Sequence, residues 1–327
     1  MKSNAALLTL SFVLMAAFGA SAQTQSSTID VQSSVPSSSG ASYSSTSEMS
    51  AEFSEFTPLG GWGLSYFNIA TADSERVNTG GASWNIYQYL SGNYKFAADQ
   101  RFAVRLPFTT KTAGVYNRFG NVTPLETTLD DMHIVYNNYA LASFPGEWDL
   151  SGTFYAYAPT SKRSQDKKWI TRLRAWFMFQ KALDRNWTVS YNIKPEYFVN
   201  SQRAYRREIN DTRADGSTFT SVRAENNQQA EVQHYLEINR YWNRYFTPSL
   251  EVGFNTTWYE TSDEANYSDL IREQFMISPG TWIHFSRGFR IKIGVENQHN
   301  IRTPQKPFAL FREEDNQYKL LTFWTIQ

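Results

Sequence analysis

The chain has 327 residues, 31 basic and 31 acidic groups, no cysteine, and a mean hydropathy of −0.50. The even charge balance excludes a nucleic-acid binder, which needs a basic surface to displace phosphate counterions. The lack of cysteine excludes disulfides, thiolate chemistry and a lipid-carrying cysteine anchor. Beyond the N-terminus no apolar run approaches the roughly 20 residues of a membrane-spanning helix. A low mean hydropathy still permits a membrane barrel, because its strands alternate apolar and polar faces and the average cancels.

Residues 1–22 read as a secretory signal peptide. Lys2 supplies the positive end, Ala5 to Phe18 is broken only by Thr9 and Ser11, and Ala20-Ser21-Ala22 has the small-x-small form of a cleavage site. Residues 23–58 follow as a polar tail. From Thr24 to Ser50, 12 of 27 positions are serine, too few apolar groups to offset the entropy of ordering. The tail is expected to be disordered in the periplasm, or to fold back into a barrel mouth as a plug.

From residue 59 to 327 the pattern has period two. Strands are expected at 62–72, 83–97, 101–112, 129–143, 148–159, 169–182, 187–199, 229–242, 246–260, 270–285, 289–301 and 315–327, an even number. In the clearest, Phe246, Leu250, Val252, Phe254 and Trp258 alternate with Ser249, Glu251, Gly253, Asn255 and Thr257. Two segments fit less well. Residues 129–143 carry polar groups on both faces, and the last strand, with Leu320, Leu321, Phe323 and Trp324, is apolar on both. Pro195 and Pro279 fall inside strands, where each removes a ladder donor and predicts a bulge or kink.

Five short turns recur along this region. Phe96 and Phe102 flank 97–101, Phe144 and Trp148 flank 145–147, Leu183 and Trp187 flank 184–186, Trp242 and Phe246 flank 243–245, and Phe285 and Phe289 flank 286–288. The other connections are longer and charged. Short turns on one side, long loops on the other and aromatic residues at the turn level describe a membrane barrel with its turns at the periplasmic rim. The signal peptide, alternating strands, aromatic-edged turns and a strand reaching the C-terminus resemble Gram-negative outer-membrane β-barrel proteins of the porin-like kind. That family's chains usually end on an aromatic residue, whereas this one ends Phe323-Trp324-Thr325-Ile326-Gln327. The resemblance implies an all-β, antiparallel up-and-down transmembrane barrel in the cell outer membrane. Its partners would be outer-membrane lipid and the barrel-assembly machinery, with no nucleic acid and no cofactor.

Alternation assigns charges to the lumen, since an Arg or Lys facing lipid at mid-membrane costs roughly 2–4 kcal/mol. The lumen-lining candidates are Arg105, Arg172, Arg174, Lys194, Glu196, Glu251, Arg272, Lys292 and Glu296. They either line an aqueous path for passive diffusion of small hydrophilic solutes or pair across the interior and close it, leaving a structural or surface-interaction barrel. Interleaved signs give no preference for anions or cations. The longest connection, 201–229, carries the basic cluster Arg203, Arg206 and Arg207, either on a solvated extracellular loop or on one folded into the mouth. Some outer-membrane phospholipases also have a dozen strands and use serine, histidine and asparagine. No histidine here is followed closely by Ser-Asn-Gly, and His133, His234, His284 and His299 show no metal-ligand spacing. The expectation is therefore a channel, not an enzyme.

Overall fold

The computed structural model describes residues 60–78, 83–112, 114–115, 122–123, 125–212, 218–263, 265, 270–286, 288–301 and 315–326. The proposed signal peptide and serine-rich tail lie outside these residues. In chain order the strands are β1 (Trp62–Asp73), β2 (Asn85–Ala97), β3 (Gln100–Lys111), β4 (Gly114–Val115), β5 (Val122–Thr123), β6 (Glu126–Leu129), β7 (His133–Phe144), β8 (Trp148–Tyr157) and β9 (Trp169–Ala182). They continue with β10 (Trp187–Asn200), β11 (Ala204–Thr212), β12 (Thr218–Asn226), β13 (Gln228–Arg240), β14 (Phe246–Tyr259), β15 (Ile271–His284), β16 (Phe289–Asn300) and β17 (Asn316–Ile326). Short helices α1 (Ser74–Asn78) and α2 (Lys162–Asp166) sit in connections.

Twelve of these strands form one antiparallel ring, β1-β2-β3-β7-β8-β9-β10-β13-β14-β15-β16-β17. The last strand pairs with the first from Leu64 opposite Ile326 to Asp73 opposite Gln317, so the sheet has no open edge. The twelve strands coincide with those expected from alternation to within four residues at each end. β6 extends the top of β3, and β11–β12 and β4–β5 are separate hairpins.

Backbone chemistry explains the short turns. Asp184 Oδ1 accepts from the amides of Asn186 (2.6 Å) and Trp187 (2.9 Å). Asn243 Oδ1 accepts from those of Tyr245 (2.8 Å) and Phe246 (3.0 Å), the same side-chain cap at an equivalent position. In the 145–147 turn Gly146 (φ 82°) and Glu147 (φ 63°) both take the left-handed conformation that a tight hairpin requires. Trp62, Phe102, Phe144, Trp187, Trp242, Phe285 and Trp324 stand exposed around this rim.

The bulges are not where proline suggested. Pro195 stands opposite Val232 and Pro279 opposite Leu250 without any register shift. In an antiparallel ladder a residue bonds to only one neighbour at a time, so an outward proline loses one donor and leaves the register intact. Register shifts fall instead at Asn138/Ala142, Val199/Asn200, Gln228/Ala230 and Lys95/Ala97. The first resolves the poorly alternating segment. Asn138 Oδ1 accepts from the Ala140 amide at 3.1 Å, and Leu141 folds over Gly152 on the outer wall.

Candidate functional site

The same parity that builds the wall points alternate side chains inward. On β3, Arg101, Ala103 and Arg105 are buried while Phe102, Val104 and Leu106 are exposed. On β14, Thr247, Ser249, Glu251, Asn255 and Thr257 are buried and Leu250 and Phe254 exposed. Gly253 also faces inward, directly opposite Tyr235, and a Cβ there would stand 2.2 Å from the His234 carbonyl oxygen and 2.3 Å from Tyr235 Cβ.

The structure brings most of the sequence candidates into the barrel interior. Arg105, Lys194, Glu196, Glu251, Lys292 and Glu296 are buried there. Glu196 is held by two arginines. Arg174 Nε and Nη2 donate to its Oε2 at 2.9 and 2.6 Å, and Arg172 Nε lies 3.1 Å from its Oε1. Lys292 is ion-paired with Glu251, and Lys319 Nζ donates to Glu296 at 2.6 Å. Lys194 Nζ lies 3.8 Å from the centre of the Trp176 ring and 5.2 Å from that of Tyr235. A side-chain chain crosses three strands: Trp176 Nε1 donates to Asn192 (2.8 Å), Asn192 to Ser190 (3.0 Å) and Ser190 to Glu237 (3.4 Å). Arg272 is half-buried on β15 and donates to Asn300 at 3.2 Å.

The final strand's second apolar face has an interior destination. Leu321 and Phe323 of β17 join Phe67 and Ile69 of β1 and Tyr89 of β2 as a buried apolar sector, with Phe67 stacked on Tyr89 at 5.0 Å. Trp176, Arg105, Tyr89, Tyr235, Met276 and Glu251 are each less than 2% exposed. These side chains come from six strands of the ring, β2, β3, β9, β13, β14 and β15. Trp176 and Tyr235 are interior groups absent from the sequence candidates. The signal was present: Trp176 has the parity of Arg174 and Tyr235 that of Glu237.

The long 201–229 connection contains the β11–β12 hairpin, paired over nine positions from Ala204–Asn226 to Thr212–Thr218. Its root is fixed by Asn227, which is fully buried. Its Nδ2 donates to the Lys167 and Gln202 carbonyls, both at 2.8 Å, its amide to Arg203 O (2.8 Å), and its carbonyl accepts from Glu260 N (2.8 Å). Arg203 and Arg206 are exposed at that root; Arg207 lies on β11 and its side chain is outside the described residues. At the same end, Asp131 Oδ1 accepts from Ser161 N (2.9 Å) and Ser164 Oγ (2.7 Å), securing α2. Burial raises the neighbouring Asp130 carboxyl above its usual range, against the opposite pull of Thr109 Oγ1, which donates at 2.5 Å. Among the described residues no group of three or more His, Asp or Glu is arranged to hold a metal ion.

No protein-family model and no curated protein matches the chain. Solved structures do. The COG4313 outer membrane channel from Pseudomonas putida F1 matches with a TM-score of 0.50 at 14% identity, over 82% of this chain and 96% of that one. The NanC porin matches at 0.40 and 7% identity over 80% and 100%, and the Pseudomonas putida toluene transporter TodX at 0.40 and 9% over 83% and 90%. The first of these likenesses shows a shared outer-membrane β-barrel fold.

Proposed function

We propose that this protein is an outer-membrane channel that passes small hydrophilic solutes by passive diffusion through a narrow, charged lumen. One observation carries the reading: the interior is polar where a purely structural barrel has no need of it. Asn137 Nδ2, Ser151 Oγ, Asn239 Oδ1 and Asn255 Oδ1 are buried polar atoms with no protein partner among the described residues. Each would cost about 1–3 kcal/mol in a dry core and little in a lumen that admits water or solute. Eight-stranded barrels fill with side chains and barrels of 16–18 strands hold open channels, so twelve strands suit a narrow path. The lumen-lining roles belong to Arg105, Arg172, Arg174, Lys194, Glu196, Glu251, Arg272, Lys292 and Glu296, with Arg203, Arg206 and Arg207 at the outer mouth. Lipid around the wall and the machinery that assembles outer-membrane barrels are the partners this reading requires.

A closed structural barrel is the second reading, favoured by the near-zero exposure of Trp176, Tyr235 and Met276. The channel reading requires these side chains to give way during passage. Purified protein in planar bilayers tests the choice. Stepwise conductance is expected, and a correctly folded but silent barrel overturns the channel.

A further inference from the structure

We propose that the outer faces of β1, β2 and β3 form the interface of a homodimer within the membrane, in which the Asn68 and Gln88 amides of one copy pair with those of a second. The inference goes beyond the channel reading and rests only on the membrane barrel.

The wall is polar here on the side that lipid would meet. Tyr66, Asn68, Gln88 and Thr110 hold outward positions, alternating with the inward Phe67, Ile69, Tyr89 and Thr109. Asn68 Nδ2 donates to the Tyr66 hydroxyl at 3.4 Å, Tyr66 to Gln88 Oε1 at 2.6 Å, and Gln88 Nε2 to Thr110 Oγ1 at 3.1 Å. The Thr110 and Thr127 hydroxyls lie 3.1 Å apart, so the track reaches β6. Outward positions over the same span elsewhere are apolar: Leu250, Val252 and Phe254 on β14, and Ile291, Ile293 and Val295 on β16.

Depth decides what can face this track. Trp62, Tyr94 and Phe102 are paired at one level of the periplasmic rim, and Asn68, Gln88 and Phe108 are paired six residues above it. For strands tilted by roughly 40° that is about 15 Å along the membrane normal, inside an apolar band about 25 Å tall. The amides are not saturated at that depth. Among the described residues Asn68 Oδ1 accepts no hydrogen bond, and Asn68 Nδ2 and Gln88 Nε2 each donate only once. Acyl chains carry neither donors nor acceptors, so a lipid leaves that capacity unmet. An amide is donor and acceptor at once, so two copies of the same pair complement each other. A symmetry axis relating two copies in one bilayer runs along its normal and brings equal depths together. A two-fold axis passing beside β2 therefore sets each track against its twin.

The surface between the track and the rim permits close approach. Leu64, Leu90, Val104 and Leu106 surround an outward groove of about 360 Å³ at Gly92, where a Cβ would meet nothing within 4 Å. Between two lipid-facing walls there is no hydrophobic drive to associate, so association depends on tight packing and polar pairs. A groove at a glycine beneath a row of amides supplies both.

The experiment uses the full-length barrel in lipid vesicles, with heat-modifiable migration in gels as the control for folding. The chain has no cysteine, so a single introduced thiol reports its own contacts without background. Under mild oxidation Leu90→Cys should give disulfide-linked dimers, and Leu236→Cys, exposed on β13 halfway around the ring, should not. Adding Gln88→Leu or Gly92→Trp to Leu90→Cys should lower the dimer yield severalfold while the barrel still folds. Equal crosslinking at the two positions, or a Leu90→Cys dimer that both folded variants leave intact, overturns the interface. No crosslinking, with a lipid retained in native mass spectra and lost in Gly92→Trp, assigns the groove to lipid and also overturns it. Should Gly92→Trp fail to fold, Gln88→Leu decides, since it only replaces a polar group facing the bilayer by an apolar one.

Discussion

Glu237 on β13 stands directly opposite Glu251 on β14, both buried in the interior, and Lys292 is ion-paired with Glu251. Like charges facing each other across a ladder are destabilising, and the Lys292 cation offsets that repulsion. Lys292→Met should therefore cost about 3–5 kcal/mol, the penalty for stranding a buried charge. Glu237→Gln, which removes the opposing carboxylate and keeps the shape, should be neutral or stabilising. Urea unfolding in lipid vesicles measures both, and an equal loss in the two would mean that Glu237 contributes an attraction of its own.

A second prediction concerns backbone approach. A side chain at Gly253 would collide with the neighbouring strand's backbone, whereas one at Gly92 on the outer wall meets nothing within 4 Å. Gly253→Val should sharply lower the yield of heat-modifiable barrel, and Gly92→Ala should leave it unchanged. Equal yields would show that β13 and β14 can separate to admit a side chain.

Outer and inner faces should also differ in their tolerance of charge. Val252→Arg places a cation on the outer face of β14 and should cost roughly 2–4 kcal/mol. Gln180→Arg, on the inner face of β9 near the rim, should cost under about 0.5 kcal/mol, like other substitutions at solvated positions. The comparison is read from urea midpoints in vesicles, and similar losses would contradict the assignment of faces.

Removing the Asn227 side chain should loosen the hairpin without touching the barrel. Asn227→Ala deletes two hydrogen bonds that tie the hairpin root to the Lys167 and Gln202 carbonyls. Limited proteolysis should then cut within 204–226 at a higher rate while thermal unfolding of the barrel stays the same. A lowered barrel midpoint would instead make Asn227 part of the wall.

The wall was legible in the sequence because each strand states its own face: Val252 against Glu251, or Phe102 against Arg101, needs no knowledge of the neighbours. Strand number and closure followed from the same local rule. The interior was less legible, because which inward groups meet depends on register and stagger around the ring. Nothing local says that Arg172 and Arg174 share Glu196, or that Lys194 lies against Trp176. The two prolines each interrupt one ladder without shifting its register, since the effect of a missing donor depends on which neighbour that residue would have bonded. Leu321 and Phe323 made the last strand look ambiguous because their apolar partners, Phe67 and Ile69, are some 250 residues away along the chain.

That distance sets the order of events in folding. Every hairpin of the ring can form from neighbours in the sequence, but the ladder from Leu64–Ile326 to Asp73–Gln317 joins the two ends of the barrel. Its pairing must wait until the intervening strands have curled the sheet far enough to bring those ends together, and loop entropy makes it the slowest contact to establish. The seam is then also the place where the finished ring is youngest, and where a barrel interrupted in assembly would still expose two strands ready to pair with something else.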